Sequence, residues 1–210
     1  MKKVRNIIAL LLCAILLVGA SVAGTVAYLT SQSEVVNTFT VGKVIITLDE
    51  TDTDGDDNMD DNVTVVVDGD EIVRDKANAY KLIPGHTYTK DPVIHVDADS
   101  ESCWVFVQVI NDIEAFETGT TIANQILDNN WVPVDDYDNV YYQVYDADQT
   151  NPDTDLEVFE GFTLSNEAED IDGWNSIGEN TKITVIGYAV QYDAFNSAKD
   201  AWNNTFADNT

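Results

Sequence analysis

From residue 41 onward the chain alternates short apolar runs with polar breaks, and the runs have the length and composition of strands. VGKVIITLD, NVTVVVD, TYTKDPVIHVDA, CWVFVQVIN, VYYQVYDA, EVFEGFTLS and KITVIGYAVQYD are rich in β-branched and aromatic residues. Clusters such as DGD, PGH, DQTNPDTD and IDGWNSIGENT punctuate them as turns. CWVFVQV and ITVIGYAV are apolar on both alternations, which predicts central strands covered on both faces. Helix is sparse. TTIANQILDNN predicts two or three turns, with Ile122, Ile126 and Leu127 on one side. NSAKDAWNNTF, from Asn196, offers an N-cap and spaced apolar residues for a short terminal helix. Many short strands and one or two short helices predict an all-β fold, an antiparallel β-sandwich of jelly-roll type. No fixed-period repeat or Pro-rich linker divides it, so residues 28–210 are expected to form a single domain.

The first 27 residues follow a different grammar. Lys2, Lys3 and Arg5 precede the apolar run IIALLLCAILLVGASVAG, the order of a secretory signal peptide. The run is also near the ~20 residues that span a bilayer, so an N-terminal anchor is the competing reading. The small residues Gly19, Ala20, Ser21, Ala23 and Gly24 favour cleavage. Ser21-Val22-Ala23 and Thr25-Val26-Ala27 are both usable sites, placing the cut after Ala23 or after Ala27. Cys13 follows Leu12 deep in the run, unlike a lipid-attachment cysteine.

Charge changes the picture further. All 38 Asp and Glu lie beyond the leader, which holds three of the ten Lys and Arg. Seven basic against 38 acidic residues leave the exported chain at a formal −31. Such a surface repels nucleic acid and anionic membranes and favours cation binding. No nucleic-acid partner and no stable membrane anchor after cleavage are therefore expected. Cys103 is the one cysteine beyond the leader and is expected to pack as a small buried hydrophobe.

Candidate chemistry is limited. DETDTDGDDNMDDN, residues 49–62, places Glu50, Asp52 and Asp54 at alternating positions before the turn at Gly55, with Asp61 beyond it. Calcium takes six to eight oxygen ligands, and this run resembles part of an EF-hand loop; a solvated acidic hairpin loop is the plain alternative. DNVYYQVYDADQTNPDTD is a looser carboxylate cluster. His86 and His95 are the two histidines, without a paired-histidine zinc motif. Trp104, Trp131, Trp174 and Trp202 could line a glycan site or serve as core. No nucleophile elbow, phosphate loop or dinucleotide fingerprint occurs, so no catalytic residue is assigned.

The stretch GTVAYLTSQSEVVNTFTVGKVIITL resembles the signal-plus-first-strand block of the Gram-positive TasA and camelysin family, through Gly24, Tyr28, Asn37, Phe39 and Gly42. The likeness continues in KLIPGHTYTKDPVIHV, through Pro84, Gly85, Lys90, Asp91 and Pro92, then in CWVFVQV and YAVQYDAFNSAKDAW. The resemblance implies cleavage between Ala27 and Tyr28 by a SipW-type signal peptidase, a jelly-roll fold, and secretion to the extracellular matrix or cell surface. It also implies a homo-oligomer or biofilm-matrix fibre in which the N-terminal segment completes the sheet of the next subunit. Here residues 28–42 are the candidate donor, with Val35, Val36, Phe39 and Val41 as apolar contacts, and an ordinary first strand that pairs within its own subunit is the alternative for that segment. A camelysin-like metal-dependent endopeptidase is one alternative, although no zinc-peptidase motif is present. A calcium-dependent adhesion or glycan-binding module is the other.

Overall fold

The computed structural model describes residues 42–53, 63–67, 70–75, 78–178 and 181–207. The leader, the Ala27–Tyr28 junction and the donor positions Val35, Val36, Phe39 and Val41 lie outside the described residues, as do Asp54 and Asp61. In chain order the strands are β1 (Ile46–Thr51), β2 (Val63–Val67), β3 (Asp70–Asp75), β4 (Thr87–Thr89), β5 (Val93–Val96), β6 (Cys103–Asn111), β7 (Val132–Pro133), β8 (Val140–Tyr145), β9 (Asp155–Glu157), β10 (Gly161–Thr163) and β11 (Ile183–Gln191). The helices are α1 (Ile122–Asp128) and α2 (Ala198–Thr205).

Every described strand pairing is antiparallel. The strands form a five-stranded sheet ordered β2-β3-β1-β5-β9, a four-stranded sheet ordered β11-β6-β8-β7, and the ribbon β10-β4. The fold is all-β with two short helices.

Strand β6 sets the layering. Cys103, Val105, Val107 and Val109 face one way and pack with Ile94, Val96 and Leu156 of the five-stranded sheet. Trp104 and Phe106 face the other way, against Ala198, Ala201 and Trp202 of α2. An apolar row on each alternation is what a strand covered on both faces requires. The two large sheets meet closely at Gly187 of β11, where an added Cβ would lie 3.2 Å from Ile94 Cδ1 and 3.6 Å from Ile46 Cδ1.

Two expected strands are each divided by a corner. TYTKDPVIHV splits into β4 and β5 around Lys90-Asp91-Pro92, where Pro92 has no N–H to donate to a ladder. Its partner EVFEGFTLS splits opposite, into β9 and β10. The two segments stay joined across the corner through Lys90 N to Glu160 O, 3.2 Å, and Val158 N to Pro92 O, 2.9 Å. Gly161 belongs to this corner because a Cβ there would stand 2.2 Å from the Tyr88 carbonyl oxygen. The strand β3, beginning at Asp70, is an addition to the elements read from sequence.

The helices start as their caps dictate. The Thr121 side chain accepts from Asn124 N, and that of Ser197 from Asp200 N. Ile122 and Ile126 of α1 are buried, but Leu127 is 47% exposed. It therefore does not share their face, since consecutive residues on a helix point about 100° apart. In α2, Trp202 is fully buried and meets Phe106, Tyr137, Tyr188 and Phe206. Trp202→Ala should lower unfolding stability by about 3–5 kcal/mol, the usual cost of emptying a buried aromatic site. Urea denaturation checks this, and a loss under about 1 kcal/mol would show that α2 is peripheral to the fold.

Candidate functional site

Strand β1 continues an inward row. Val44, Ile46 and Leu48 pack on the core, and the next residue of that alternation is Glu50, only 4% exposed. A carboxylate in such a place needs a partner. The corner between β4 and β5 supplies it, turning Lys90 inward so that Nζ donates to Glu50 Oε2 at 2.5 Å. The second carboxylate oxygen, Oε1, accepts from Asn78 Nδ2 at 2.9 Å. The same Nδ2 donates to the Thr51 carbonyl at 3.0 Å, while Asn78 Oδ1 accepts from Thr53 N at 2.6 Å and Thr53 Oγ1 at 2.9 Å. Beside them, Asp91 accepts from Thr51 N at 2.8 Å and Thr51 Oγ1 at 2.6 Å. The corner is thus fastened to β1 by the Lys90–Glu50 ion pair and, beside it, by the two hydrogen bonds from Thr51 to Asp91.

This cluster borders an open seam. A cleft of about 460 Å³ is lined by Leu48 to Glu50 on β1 and by Ile183 to Val185 on β11. A second, of about 450 Å³, shares Asn78, Lys90, Lys182 and Ile183 with it and reaches Tyr80 and Phe162. Among the described residues β11 pairs with β6 alone, in a nine-residue register from Ile183 opposite Asn111 to Gln191 opposite Cys103. Its outer edge has no strand partner there, and residues Ile46–Asp49 of β1 pair with β5. A row of unpaired N–H and C=O groups is a template for an added strand.

On the outer face of the five-stranded sheet, His95 stands opposite Thr47 of β1 and Asp155 of β9. Its Nδ1 lies 2.7 Å from Asp155 Oδ1 and its Nε2 lies 3.0 Å from Asp49 Oδ1. Partial burial by itself would lower the imidazole pKa. The hydrogen bonds and charges of Asp155 and Asp49 outweigh that effect and raise it above the ordinary 6.5. His86 is exposed just beyond the Pro84–Gly85 turn.

The sequence candidates are distributed as follows. Glu50 is committed to Lys90 and Asn78, and Asp52 is half-buried just beyond β1. Asp153 and Asp155, from the looser carboxylate cluster, share a polar cleft of about 460 Å³ with Asp128 and Glu157. Among the described residues no three His, Cys, Asp or Glu side chains are gathered to hold a metal ion. Trp104, Trp131 and Trp202 are buried as core, with Trp131 Nε1 donating to the Glu157 carbonyl at 2.7 Å. Cys103 is fully buried, and burial pushes its thiol up to about 11, which keeps it an unreactive packing group. Among the described residues no helix is long and apolar enough to cross a membrane.

The Glu50–Lys90–Asn78 cluster is the feature that motif reading missed. Its sequence signal was Glu50 itself, a carboxylate occupying the next position of the inward row Val44, Ile46, Leu48. No protein-family model matches the chain, and neither a curated protein nor a solved structure gives a significant match.

The His95 clamp has a definite pH signature. Because its folded pKa is raised, the stability it lends is fully present below the unfolded value near 6.5 and is lost as pH rises through the folded value. The stability difference between wild type and His95→Gln should therefore be largest below pH 6.5 and shrink above it. Urea midpoints from about pH 5 to about pH 9 measure this, and a difference that grows with pH would contradict a clamp built on imidazolium.

Proposed function

We propose that the chain is an exported, non-enzymatic structural protein of a Gram-positive cell surface or biofilm matrix, a jelly-roll β-sandwich whose copies join by strand donation. The observation that carries this reading is the outer edge of β11, which among the described residues has no strand partner over nine residues beside the seam with β1. The occupant is residues 28–42 of another copy, with Val35, Val36, Phe39 and Val41 supplying the apolar side chains. That segment is long enough to follow the whole edge.

Main-chain hydrogen bonds give such a contact its affinity, and alternating side chains set its register. Charge does not oppose the pairing: Lys90 and Lys182 line the seam together with Asp49 and Glu50, and residues 28–42 carry a single charged side chain, Glu34. The contact is head-to-tail, so it propagates into filaments instead of closing on itself. In the precursor, the SipW-type cleavage between Ala27 and Tyr28 would release the donor only after export. The remaining surface is strongly acidic and repels its own copies, so assembly requires screening by salt.

Negative-stain electron microscopy of chain Tyr28–Thr210 beside chain Lys43–Thr210 tests the proposal. Filaments are expected from the longer chain alone, and more of them at about 0.15 M salt than in dilute buffer. Filaments from both chains, or from neither while both are folded, would remove the donor role from residues 28–42.

A further inference from the structure

Beneath the seam, three side chains are arranged for a covalent step that does not depend on assembly. Lys90 is 9% exposed and Glu50 4% exposed, so both ionic groups are largely withdrawn from water. One Glu50 oxygen holds the Lys90 amine at 2.5 Å, and the other holds the Asn78 carboxamide nitrogen at 2.9 Å. A single carboxylate thus touches both a potential nucleophile and a potential leaving group. The Asn78 carbonyl oxygen already accepts two hydrogen bonds, from Thr53 N–H at 2.6 Å and from the Thr53 hydroxyl at 2.9 Å. Those donors sit where negative charge would develop if Asn78 Cγ were attacked. The amide is also held from its nitrogen side by the Thr51 carbonyl at 3.0 Å, which fixes the plane of the group.

We propose that Lys90 and Asn78 are joined by a side-chain amide bond, formed by the folded chain itself with Glu50 as proton carrier. The Lys90 ammonium passes one proton to Glu50 Oε2, and the freed lone pair attacks Asn78 Cγ. The carbonyl π pair moves onto Oδ1, where the two Thr53 donors hold it. Glu50 delivers its proton to Nδ2 and takes the surplus proton from the attacking nitrogen. The Oδ1 pair then re-forms the carbonyl, and the Cγ–Nδ2 bond breaks with its electrons going to nitrogen. Ammonia leaves, taking the proton from Glu50 as ammonium and restoring the carboxylate. One C–N bond forms and one breaks, with no change of oxidation state and no co-reactant. Holding nucleophile, proton carrier and acceptor in one site removes the entropic cost of bringing them together.

The product has a clear structural use. Cys103 is the one cysteine beyond the leader-like run, so an intrachain disulfide is not available to the rest of the chain. An amide between Asn78, on the segment leaving β3, and Lys90, at the corner before β5, ties these elements together covalently beside β1. It also replaces a buried ammonium by a neutral group.

Intact-mass measurement of the purified full chain, folded near neutral pH and then denatured, is the test. The expected mass is below the sequence mass by one ammonia, and digestion should yield a branched peptide joining the Lys90 and Asn78 segments. Glu50→Gln should keep the full mass and give separate peptides. Asn78→Ala removes the acceptor carbon while leaving the Glu50–Lys90 pair, and serves as the same control should Glu50→Gln fail to fold. Full mass with separate peptides in the wild-type chain would overturn the proposal. So would a deficit without a branched peptide that hydroxylamine removes, since that marks a succinimide at an asparagine. A branched peptide persisting in Glu50→Gln would overturn the role given to Glu50.

Discussion

The ladder between β6 and β11 runs in register for nine residues, and it fixes both what the fold buries and what it leaves open. On its other edge β6 pairs with β8 from Cys103 opposite Tyr145 to Gln108 opposite Val140. Its two faces are covered by the five-stranded sheet and by α2. A strand enclosed in this way has no freedom of register, because a one-residue slip would exchange Phe106 and Val107 between two differently shaped cores. β11 inherits that register, and so its outer edge is held in a fixed, extended geometry beside β1. An unpaired edge on a rigid strand is a stronger template than one on a mobile strand, since little ordering entropy remains to be lost on pairing.

The same seam explains why charged groups are found where an apolar row should continue. The corner at Lys90-Asp91-Pro92 carries the chain from the β4–β10 ribbon into the five-stranded sheet, and it turns Lys90 inward against Glu50. In the chain before any Lys90–Asn78 amide forms, removing either partner would leave a largely buried charge unpaired, a costly state. The hydrogen bonds of Asn78 to Glu50, Thr51 and Thr53 satisfy what the ion pair leaves open. Such a polar group specifies one arrangement of β1, the corner and the segment after β3, which is the wall of the proposed strand acceptor.

The sequence was most legible where burial is simple. The continuous apolar run of β6 marked a central strand, whereas the like run of β11 stands half-buried at the sheet edge among the described residues, and spaced apolar residues marked both helices. It was less legible at β3, where DEIVRD has two adjacent apolar residues and no alternation, so that pairing with β1 and β2 decides the strand. Leu127 was misplaced because adjacent apolar residues on a short helix do not share a face. The Glu50–Lys90–Asn78 cluster was hidden for another reason. Its members are 28 and 40 residues apart in the chain, and Glu50 stood inside an acidic run that reads most simply as a solvated loop. Only the inward alternation of β1 separates Glu50 from that run.

Hydrogen exchange on β11 tests the central claim most directly. Residues Gly42–Thr210 form one compact unit, so a chain starting at Lys43 can be compared with and without a synthetic peptide covering residues 28–42. Strand addition requires that outward-facing amides within Ile183–Gln191 exchange more slowly once the peptide is present, while amides of β8 are unaffected. Unchanged exchange along β11, at peptide concentrations that saturate any binding and with the fold intact, would contradict it.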